Sequence, residues 1–403
     1  NGLLNFYVDN SNFSTLKFNN TAWGLYFINS YNNLVDEVFG FNGAYGIVSY
    51  NSSFINYTNL YFRNMNLHFL LLDTESDFNK FENVNISNST LGNGAQITNS
   101  NNNIFQNLDF SNSLANSGMY LLNSSNNNII NYTSYLNFFN GLIINSNSNN
   151  NTLSGQINLF NNSANGILVV SSNNNDLSNI ISNDNVGGGL TFSSSNFNNL
   201  YNSSFLNNGG EGLFIDNSDN NFVKSIIINN SKLSSGIYIR DSSYNLIVES
   251  SSSFNLLNGL VINSNSNYNN FSGKTNLFNN GADGLLFGSS IGGYFINISS
   301  FNNNLSGFKS SNLTDAVFSN VSSYLNNVGS YFKLNSNNLT IINSNFSKNL
   351  VGDGININNS NYINIINTNF NFNGKSGLIL NSNSVGISII NSTSVSYTHL
   401  TLP

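Results

Sequence analysis

A glycine followed by an alternating apolar strand recurs every 22 to 26 residues along the chain and constrains the fold more than any other feature. The stretch GLFIDNSDNNF, residues 212–222, shows the unit most clearly. Two starts, one near His68 and one at Ser330, lack glycine, which makes seventeen starts in all. A fixed period in this range is the signature of a solenoid, so we predict a single domain of stacked coils. The starts that have glycine are Gly2, Gly24, Gly46, Gly94, Gly118, Gly141, Gly166, Gly189, Gly212, Gly236, Gly259, Gly284, Gly307, Gly354 and Gly377.

Each unit contains three short apolar segments. In the stretch quoted above, Leu213 and Ile215 share one face, which predicts a strand with one side in a core. A turn rich in Ser and Asn follows, as at residues 171–175, and then a second strand, as at residues 177–181. A third segment ends in Phe, Leu or Tyr followed by Asn, as at residues 160–161. Three strands and three corners therefore fill a coil.

Asparagine makes up about a quarter of the chain, a bias that also occurs in disordered tracts. The apolar residues, at 39% of the chain, fall at regular intervals, which indicates packing rather than disorder. No segment has helical spacing over more than two turns. We therefore expect coils whose equivalent strands form parallel ladders, with asparagine side chains stacked into amide ladders at the corners.

Charge and cysteine content exclude several classes of function. Charged residues are 7% of the chain and the net charge is −7, so no basic stripe is available for a phosphate backbone, and nucleic acid is not an expected partner. The chain has no cysteine, which excludes disulfides, thiolate zinc sites and cysteine nucleophiles.

The two ends of the chain differ in how they fit the repeat. The repeat is already in register at Gly2, so we expect a signal peptide and a capping element to precede this sequence in the natural protein. The pattern fails after about Ile390, and we expect residues 391–403, which include His399 and Pro403, to be an artefactual tail. The predicted domain is therefore a parallel β-helix over residues 1–390.

The consensus G-[IL]-x-[IV]-x-x-S-x-x-N-x-[IL], seen at Gly166 to Leu177 and at Gly118 to Ile129, resembles the repeat of pectin-lyase-like proteins, especially the Asn-rich forms of microbial surface proteins. The resemblance covers residues 2–390. It implies an all-β fold, a single-stranded right-handed parallel β-helix of about 17 coils with three short strands per coil. The motif specifies a fold and not a reaction.

The resemblance also implies where chemistry would lie, because enzymes with this fold place carboxylates, with Arg or Lys, on the outer face of neighbouring coils. Asp216 and Arg240 each lie four residues after their glycine, so they are expected to be stacked neighbours. One interpretation is an acid pair for uronate or glycoside chemistry, which needs carboxylates about 5 to 9 Å apart. The other, which the sequence favours, is a surface ion pair. Further acids lie close by in sequence: Glu211, Asp241, Asp184 and Asp219.

Candidate metal sites are weak, and we predict no metal and no cofactor. Residues 216–220 lack the glycine and the distal glutamate of a calcium loop, so an ordinary turn is favoured. Met65 and His68 cannot complete a copper site, because His399 is the only other histidine. An acidic cluster next to Lys80 forms either a cation site or, as we favour, an inserted loop: Asp73, Glu75, Asp77 and Glu82.

The residue two positions after each glycine is expected to point to solvent, yet it is often apolar or aromatic. An exposed stripe of this kind marks an interaction surface, although strand propensity alone also favours such residues. We take Tyr26, Tyr120, Phe214 and Tyr238 as candidate carbohydrate- or partner-binding residues. The full stripe is Tyr26, Val48, Tyr120, Ile143, Leu168, Phe214, Tyr238, Val261, Leu286 and Ile379.

These observations favour a rigid, adhesin-like module of an extracellular or cell-surface protein. The expected partners are polysaccharide or other cell-envelope components, with homotypic contacts between subunits as a further possibility, both through the outer strand face. Membrane attachment is expected only through regions outside this sequence. The alternative is an enzyme, a polysaccharide lyase or glycoside hydrolase, that acts from the region of Asp216 and Arg240.

Overall fold

A computed structural model describes residues 2–381 and 383–395. The described chain is an all-β, right-handed parallel β-helix of about 17 turns, and no described residue is helical. The chain divides into two compact units, Asn1–Asn208 and Gly209–Pro403. The division into residues 1–390 and a tail stays a prediction, and His399 and Pro403 lie outside the described residues. No helix among the described residues is long and apolar enough to cross a membrane.

The first unit contains nineteen strands. In chain order they are β1 (Leu3–Phe6), β2 (Asn12–Asn19), β3 (Trp23–Ile28), β4 (Leu34–Phe41), β5 (Tyr45–Tyr50), β6 (Asn56–Arg63), β7 (Leu70–Asp73), β8 (Lys80–Ser87), β9 (Ala95–Thr98), β10 (Ile104–Ser111), β11 (Met119–Leu122), β12 (Asn128–Tyr135), β13 (Leu142–Asn145), β14 (Thr152–Phe160), β15 (Ile167–Val170), β16 (Asp176–Ser178), β17 (Ile180–Asn183), β18 (Leu190–Ser193) and β19 (Asn199–Leu206).

The second unit continues the same pattern. Its strands are β20 (Leu213–Asp216), β21 (Phe222–Asn229), β22 (Ile237–Arg240), β23 (Leu246–Ser253), β24 (Leu260–Asn263), β25 (Asn270–Ser272), β26 (Thr275–Phe278), β27 (Leu285–Phe287), β28 (Ser290–Ile291), β29 (Tyr294–Ile296), β30 (Ile298–Phe301), β31 (Ser306–Ser311), β32 (Leu313–Thr314), β33 (Val317–Ser319), β34 (Ser322–Tyr324), β35 (Val328–Lys333), β36 (Thr340–Ile342), β37 (Asn345–Phe346), β38 (Ile355–Asn358), β39 (Asn364–Ile366), β40 (Leu378–Asn381) and β41 (Ser388–Ile390).

The strands that follow the repeat's start position form what we call the first sheet. They pair in parallel with a constant register, so that Met119 of β11 lies opposite Leu142 of β13 and Leu121 lies opposite Ile144. All four of these side chains are fully buried. The alternate apolar residues predicted after each glycine therefore form the core-facing side of this sheet. Its seventeen strands are β1, β3, β5, β7, β9, β11, β13, β15, β18, β20, β22, β24, β27, β31, β35, β38 and β40.

The remaining strands, apart from the small pair β28–β32, form the second sheet. In several coils the second and third predicted segments run together as one eight-residue strand, such as β10 and β12. An asparagine with left-handed backbone bends these strands in the middle, Asn107 at φ 54° and Asn131 at φ 54°. Asparagine is one of the few non-glycine residues that readily adopts this region, which explains part of its abundance.

Buried asparagines also hold the coils together, as the composition predicted. The backbone N–H of Asn103 donates to Asn127 Oδ1 at 2.9 Å, and the backbone N–H of Asn127 donates to Asn151 Oδ1 at 2.8 Å. The Asn151 side chain in turn donates to the Ser124 carbonyl at 3.0 Å. All three asparagines are at most 1% exposed. Each side chain thus satisfies backbone groups that the corner would otherwise leave unpaired.

The repeat glycine is required because the backbones of successive coils approach closely. A Cβ atom on Gly166 would clash with Ser182 Oγ and lie 2.8 Å from the carbonyl oxygen of Gly189. Ser182 Oγ uses this space to donate to the Gly189 carbonyl at 3.0 Å. The glycine and the serine therefore form one packing unit that joins neighbouring turns.

The two starts predicted to lack glycine have different outcomes. Near His68 the buried Phe69 takes the glycine position, since the next residue, Leu70, pairs with Ile47. At the other start, Ser330 pairs with Phe308 and is fully buried, so Gly329 occupies the glycine position. The expectation that this start lacks glycine is wrong by one residue.

Candidate functional site

Asp216 and Arg240 lie side by side on the outer face of the first sheet. They are register partners at the ends of β20 and β22, as their equal offset from glycine predicted. Arg240 Nε donates to Asp216 Oδ1 at 2.7 Å, and Nη2 donates to Oδ2 at 2.9 Å. This two-fold hydrogen bond raises the pKa of Arg240 above its ordinary value. Both oxygens of the carboxylate are therefore engaged by the guanidinium.

Two aromatic rings complete this cluster. The Arg240 guanidinium lies over the Phe214 ring, 5.0 Å from its centroid. The Phe214 and Tyr238 rings stack with centroids 5.4 Å apart and an angle of 28°. Because Asp216 fixes Arg240 and Arg240 covers Phe214, the four side chains form one ordered surface.

The other proposed acids do not converge with Asp216 into a catalytic pair. Glu211 lies in the corner before β20 and accepts a hydrogen bond from Ser234 Oγ at 2.7 Å. Asp241 is exposed in a left-handed corner at φ 47°, where its charge helps to raise the pKa of Arg240. Asp219 Oδ1 accepts the backbone N–H of Ser243 at 2.6 Å, which makes it a corner residue.

The outward stripe of the first sheet is less exposed than we expected from the sequence. Its side chains are half-buried, and Val48 and Val261 are buried at 3% and 6% exposure. Each side chain is covered by its neighbours one coil above and below, as in the ladder Tyr26, Val48 and Leu71. The expectation of an exposed stripe is therefore wrong for the two valines, and the tyrosines present only part of their rings.

A second cluster, in the first unit, was not predicted as a whole. The Trp23 and Tyr45 rings stack with centroids 4.4 Å apart and an angle of 6°. Tyr26, a predicted binding residue, also stacks with the indole, at 5.1 Å and 21°. We call Trp23, Tyr26 and Tyr45 the aromatic platform. Trp23 is 36% exposed and is the only tryptophan of the chain.

Polar groups surround the platform on neighbouring coils. Tyr50 pairs with Asp73 in the adjacent strand and is 41% exposed. Burial is the main cause that raises the pKa of Tyr26, and the nearby Tyr50, Asp73 and Tyr45 raise it further. The platform, with its neighbours Tyr50 and Asp73, thus combines ring surface, three hydroxyl groups and one carboxylate.

A signal for this cluster does exist in the sequence. The position just before the glycine slot holds Trp23, Tyr45 and His68 in three successive coils, and Tyr45 and His68 have ring centroids 6.2 Å apart. The predicted stripe contains only positions after the glycine and therefore does not include this column. Tyr120, by contrast, accepts a hydrogen bond from Asn145 Nδ2 at 2.8 Å and has no stacked aromatic neighbour among the described rings.

The candidate metal residues have structural partners. Met65 Sδ accepts the Gly43 N–H at 3.2 Å, and His68 Nδ1 accepts the Asn93 N–H at 3.2 Å. In the acidic cluster, Lys80 pairs with Glu82 at 2.6 Å, while Asp73 Oδ1 accepts its neighbour's backbone N–H at 2.8 Å. Over residues 2–381 and 383–395, no group of three or more His, Asp or Glu side chains could hold a metal ion.

This geometry defines the chain as a right-handed parallel β-helix protein. A family model described as a right handed beta helix region matches residues 156–276. The fold resemblance predicted from the glycine motif is thereby confirmed. No curated protein matches the sequence.

Solved structures to which the chain is similar include enzymes and a phage protein. The A-module of the mannuronan C-5 epimerase AlgE6 from Azotobacter vinelandii superposes with a TM-score of 0.56 at 12% identity, over 80% of this chain and 92% of that chain. Tailspike protein 3 of bacteriophage CBA120 gives 0.47 at 11% identity, over 87% and 53%. The periplasmic alginate epimerase AlgG gives 0.42 at 12% identity, over 80% and 76%. At these identities the similarity concerns the fold alone.

Proposed function

We propose that this chain is a polysaccharide-binding β-helix module of an extracellular or cell-surface protein. The observation that carries the proposal is the aromatic platform of Trp23, Tyr26 and Tyr45 on the outer face of the first sheet. Sugar rings stack their C–H faces on such side chains, and nearby hydroxyls and carboxylates bind the sugar hydroxyls. The adhesin-like role follows from a rigid repetitive fold that offers a binding surface and few other chemical groups.

The charge distribution favours a neutral polysaccharide. Residues 1–208 contain three Lys and Arg against ten Asp and Glu. The three cations, Lys17, Arg63 and Lys80, belong to strands of the second sheet, whereas the platform lies on the first. An anionic polymer would therefore meet Asp73 and no cation close to the rings, which disfavours its binding.

The polysaccharide lyase or glycoside hydrolase remains an alternative centred on Asp216 and Arg240. It requires the two-fold ion pair to open before Asp216 can act as a base or nucleophile. A glycoside hydrolase would also require a second carboxylate close to Asp216, whereas Glu211 is engaged by Ser234 Oγ. These requirements make binding the better-supported function.

Affinity measurements on platform variants test the proposal. We expect Trp23→Ala and Tyr45→Ala each to weaken retention on an immobilised neutral polysaccharide at least tenfold, since each removes one stacking surface. Phe54→Ala is the matched control, because Phe54 is 54% exposed in the same unit but lies at a corner away from the first sheet. Equal retention of all three variants would overturn the proposal.

A further inference from the structure

The corner that leads from the second sheet back to the first carries an unusual row of exposed aliphatic side chains. In the second unit we call these residues the corner ridge. Their side chains are 44% to 73% exposed. Exposed patches of this size on a soluble protein usually mark an interaction site. The corner ridge consists of Leu233, Leu256, Leu257, Leu305, Leu350 and Val351.

Two bulky residues beside the corner ridge adopt an unfavourable backbone. Phe254 has φ 55° and is 52% exposed, and Leu325 has φ 57° and is 38% exposed. The same corner position holds Asn279 and Asn302 in the turns between them, with φ 55° and 54°. Asparagine adopts the left-handed backbone region at low cost in free energy, whereas a bulky residue does not. Because Phe254 and Leu325 are partly exposed, burial of their side chains offsets little of this cost. Backbone strain tends to cluster at functional sites, which makes this corner a candidate for one.

A notch interrupts the corner ridge at Gly281 and Ala282. A Cβ atom on Gly281 would clash with the Leu256 carbonyl oxygen, so the close backbone approach keeps this position without a side chain. The notch is part of a groove of about 610 Å³ that Phe254, Leu325 and Leu350 also line. The other lining residues are asparagines, and none is charged.

The order of these features along the corner is self-complementary. Successive turns carry Leu233, then Phe254 with Leu256, then the notch, then Leu305, then Leu325, and finally Leu350 with Val351. A two-fold axis placed between the notch and Leu305 brings each Leu305 over the notch of the other copy. The same axis brings Phe254 opposite Leu325 and Leu233 opposite Leu350. An interface around a two-fold axis requires this kind of pairing.

We propose that the corner ridge is the interface through which two copies of this chain form an antiparallel dimer. No charged residue lines the groove, and the second unit has equal numbers of acidic and basic residues, eight of each, so it has no net charge to oppose pairing with a second copy. The corner ridge exposes on the order of 600 Å² of apolar side chain per copy, near the lower end of what a stable dimer buries. This inference is independent of polysaccharide binding, because the aromatic platform lies in the other unit.

Exchanging the projecting Leu305 side chain with the small Ala282 side chain at the notch tests the proposal. Sedimentation of the full chain over a concentration series should give a monomer–dimer equilibrium. Ala282→Leu fills the notch and should weaken the dimer at least tenfold. Adding Leu305→Ala to Ala282→Leu moves the projecting leucine to the notch and the small residue to position 305. The dimer dissociation constant of this double variant should therefore lie within about threefold of that of the parent chain.

Tyr362→Asn is the control, since Tyr362 is 63% exposed at a different corner of the coil and should leave dimerisation unchanged. Circular dichroism and thermal unfolding establish that each variant is folded. A parent chain that stays monomeric, a double variant as weak as Ala282→Leu, or equal loss in Tyr362→Asn would each overturn the proposal.

Discussion

At the residue scale, asparagine has two different uses in this fold. At exposed corners it supplies left-handed backbone, as at Asn107 and Asn302. At buried corners its amide pairs with the backbone of the preceding coil, as at Asn127 and Asn151. The sequence predicted the amide ladders from composition, but the left-handed positions depend on φ angles that composition does not give. This is why the strain at Phe254 and Leu325 could not be predicted.

The cost of an aromatic residue in a left-handed corner can be measured at Tyr362, which has φ 58° and is 63% exposed. We expect Tyr362→Asn to raise the free energy of unfolding by about 1 kcal/mol, because asparagine relieves backbone strain that the exposed ring does not repay. The urea midpoint of the variant checks this. A lower midpoint than the parent chain would show that contacts of the ring outweigh the strain.

His68 should make stability depend on pH. Burial lowers the pKa of His68 below its ordinary value of 6.5, so the unfolded chain binds the proton more readily than the folded chain. Neutral His68 therefore contributes stability at pH values above the pKa that His68 has in the unfolded chain. This contribution is lost as the pH falls below about 6.5.

We therefore expect the urea midpoint to fall between pH 7.5 and pH 5.5, values that bracket the histidine pKa of about 6.5. His68→Gln retains an acceptor for the Asn93 N–H and should lose most of this pH dependence. The same slope in the variant would assign it to other groups. Burial raises the pKa of Asp77 and of Asp109 above the ordinary value of 3.8, so these two groups contribute to the pH dependence with the opposite sign.

At the element scale, the glycine and serine columns hold successive turns together. A Cβ atom on Gly284 would clash with Ser300 Oγ, and Ser300 donates to the Gly307 carbonyl at 2.8 Å. Strand positions and register were predictable, because the apolar period and the glycine mark the same face in every coil. The joining of the second and third segments in β10 and β12 was not, because it depends on an asparagine bending a strand without ending it.

A double-mutant cycle tests this packing. We expect Gly284→Ala to lower the free energy of unfolding by about 1–3 kcal/mol, since the methyl group displaces Ser300. Ser300→Ala should be mildly destabilising alone, through the lost hydrogen bond to Gly307. The double variant should be more stable than the sum of the two changes predicts, because the closest contact of the methyl group, with Ser300 Oγ, is relieved. Strict additivity would show that the glycine is needed for another reason.

At the scale of the whole molecule, the two units carry different surfaces. The first unit has the aromatic platform and an excess of acidic residues, and the second has the Asp216–Arg240 cluster and the corner ridge. The sequence predicted Asp216, Arg240, Phe214 and Tyr238 as neighbours because they share offsets from glycine. It did not predict the corner ridge, since the corners vary in length from coil to coil and their residues cannot be aligned by counting.

The most direct test of the proposed function uses Trp23 itself. As the chain's only tryptophan, it reports on the aromatic platform alone when excited where tyrosine absorbs little. Titration with neutral polysaccharides should shift and saturate its emission for at least one of them, and Tyr45→Ala should weaken that binding at least tenfold while Phe54→Ala leaves it unchanged. Retention of a polysaccharide by the folded chain with no change in Trp23 emission would contradict the account.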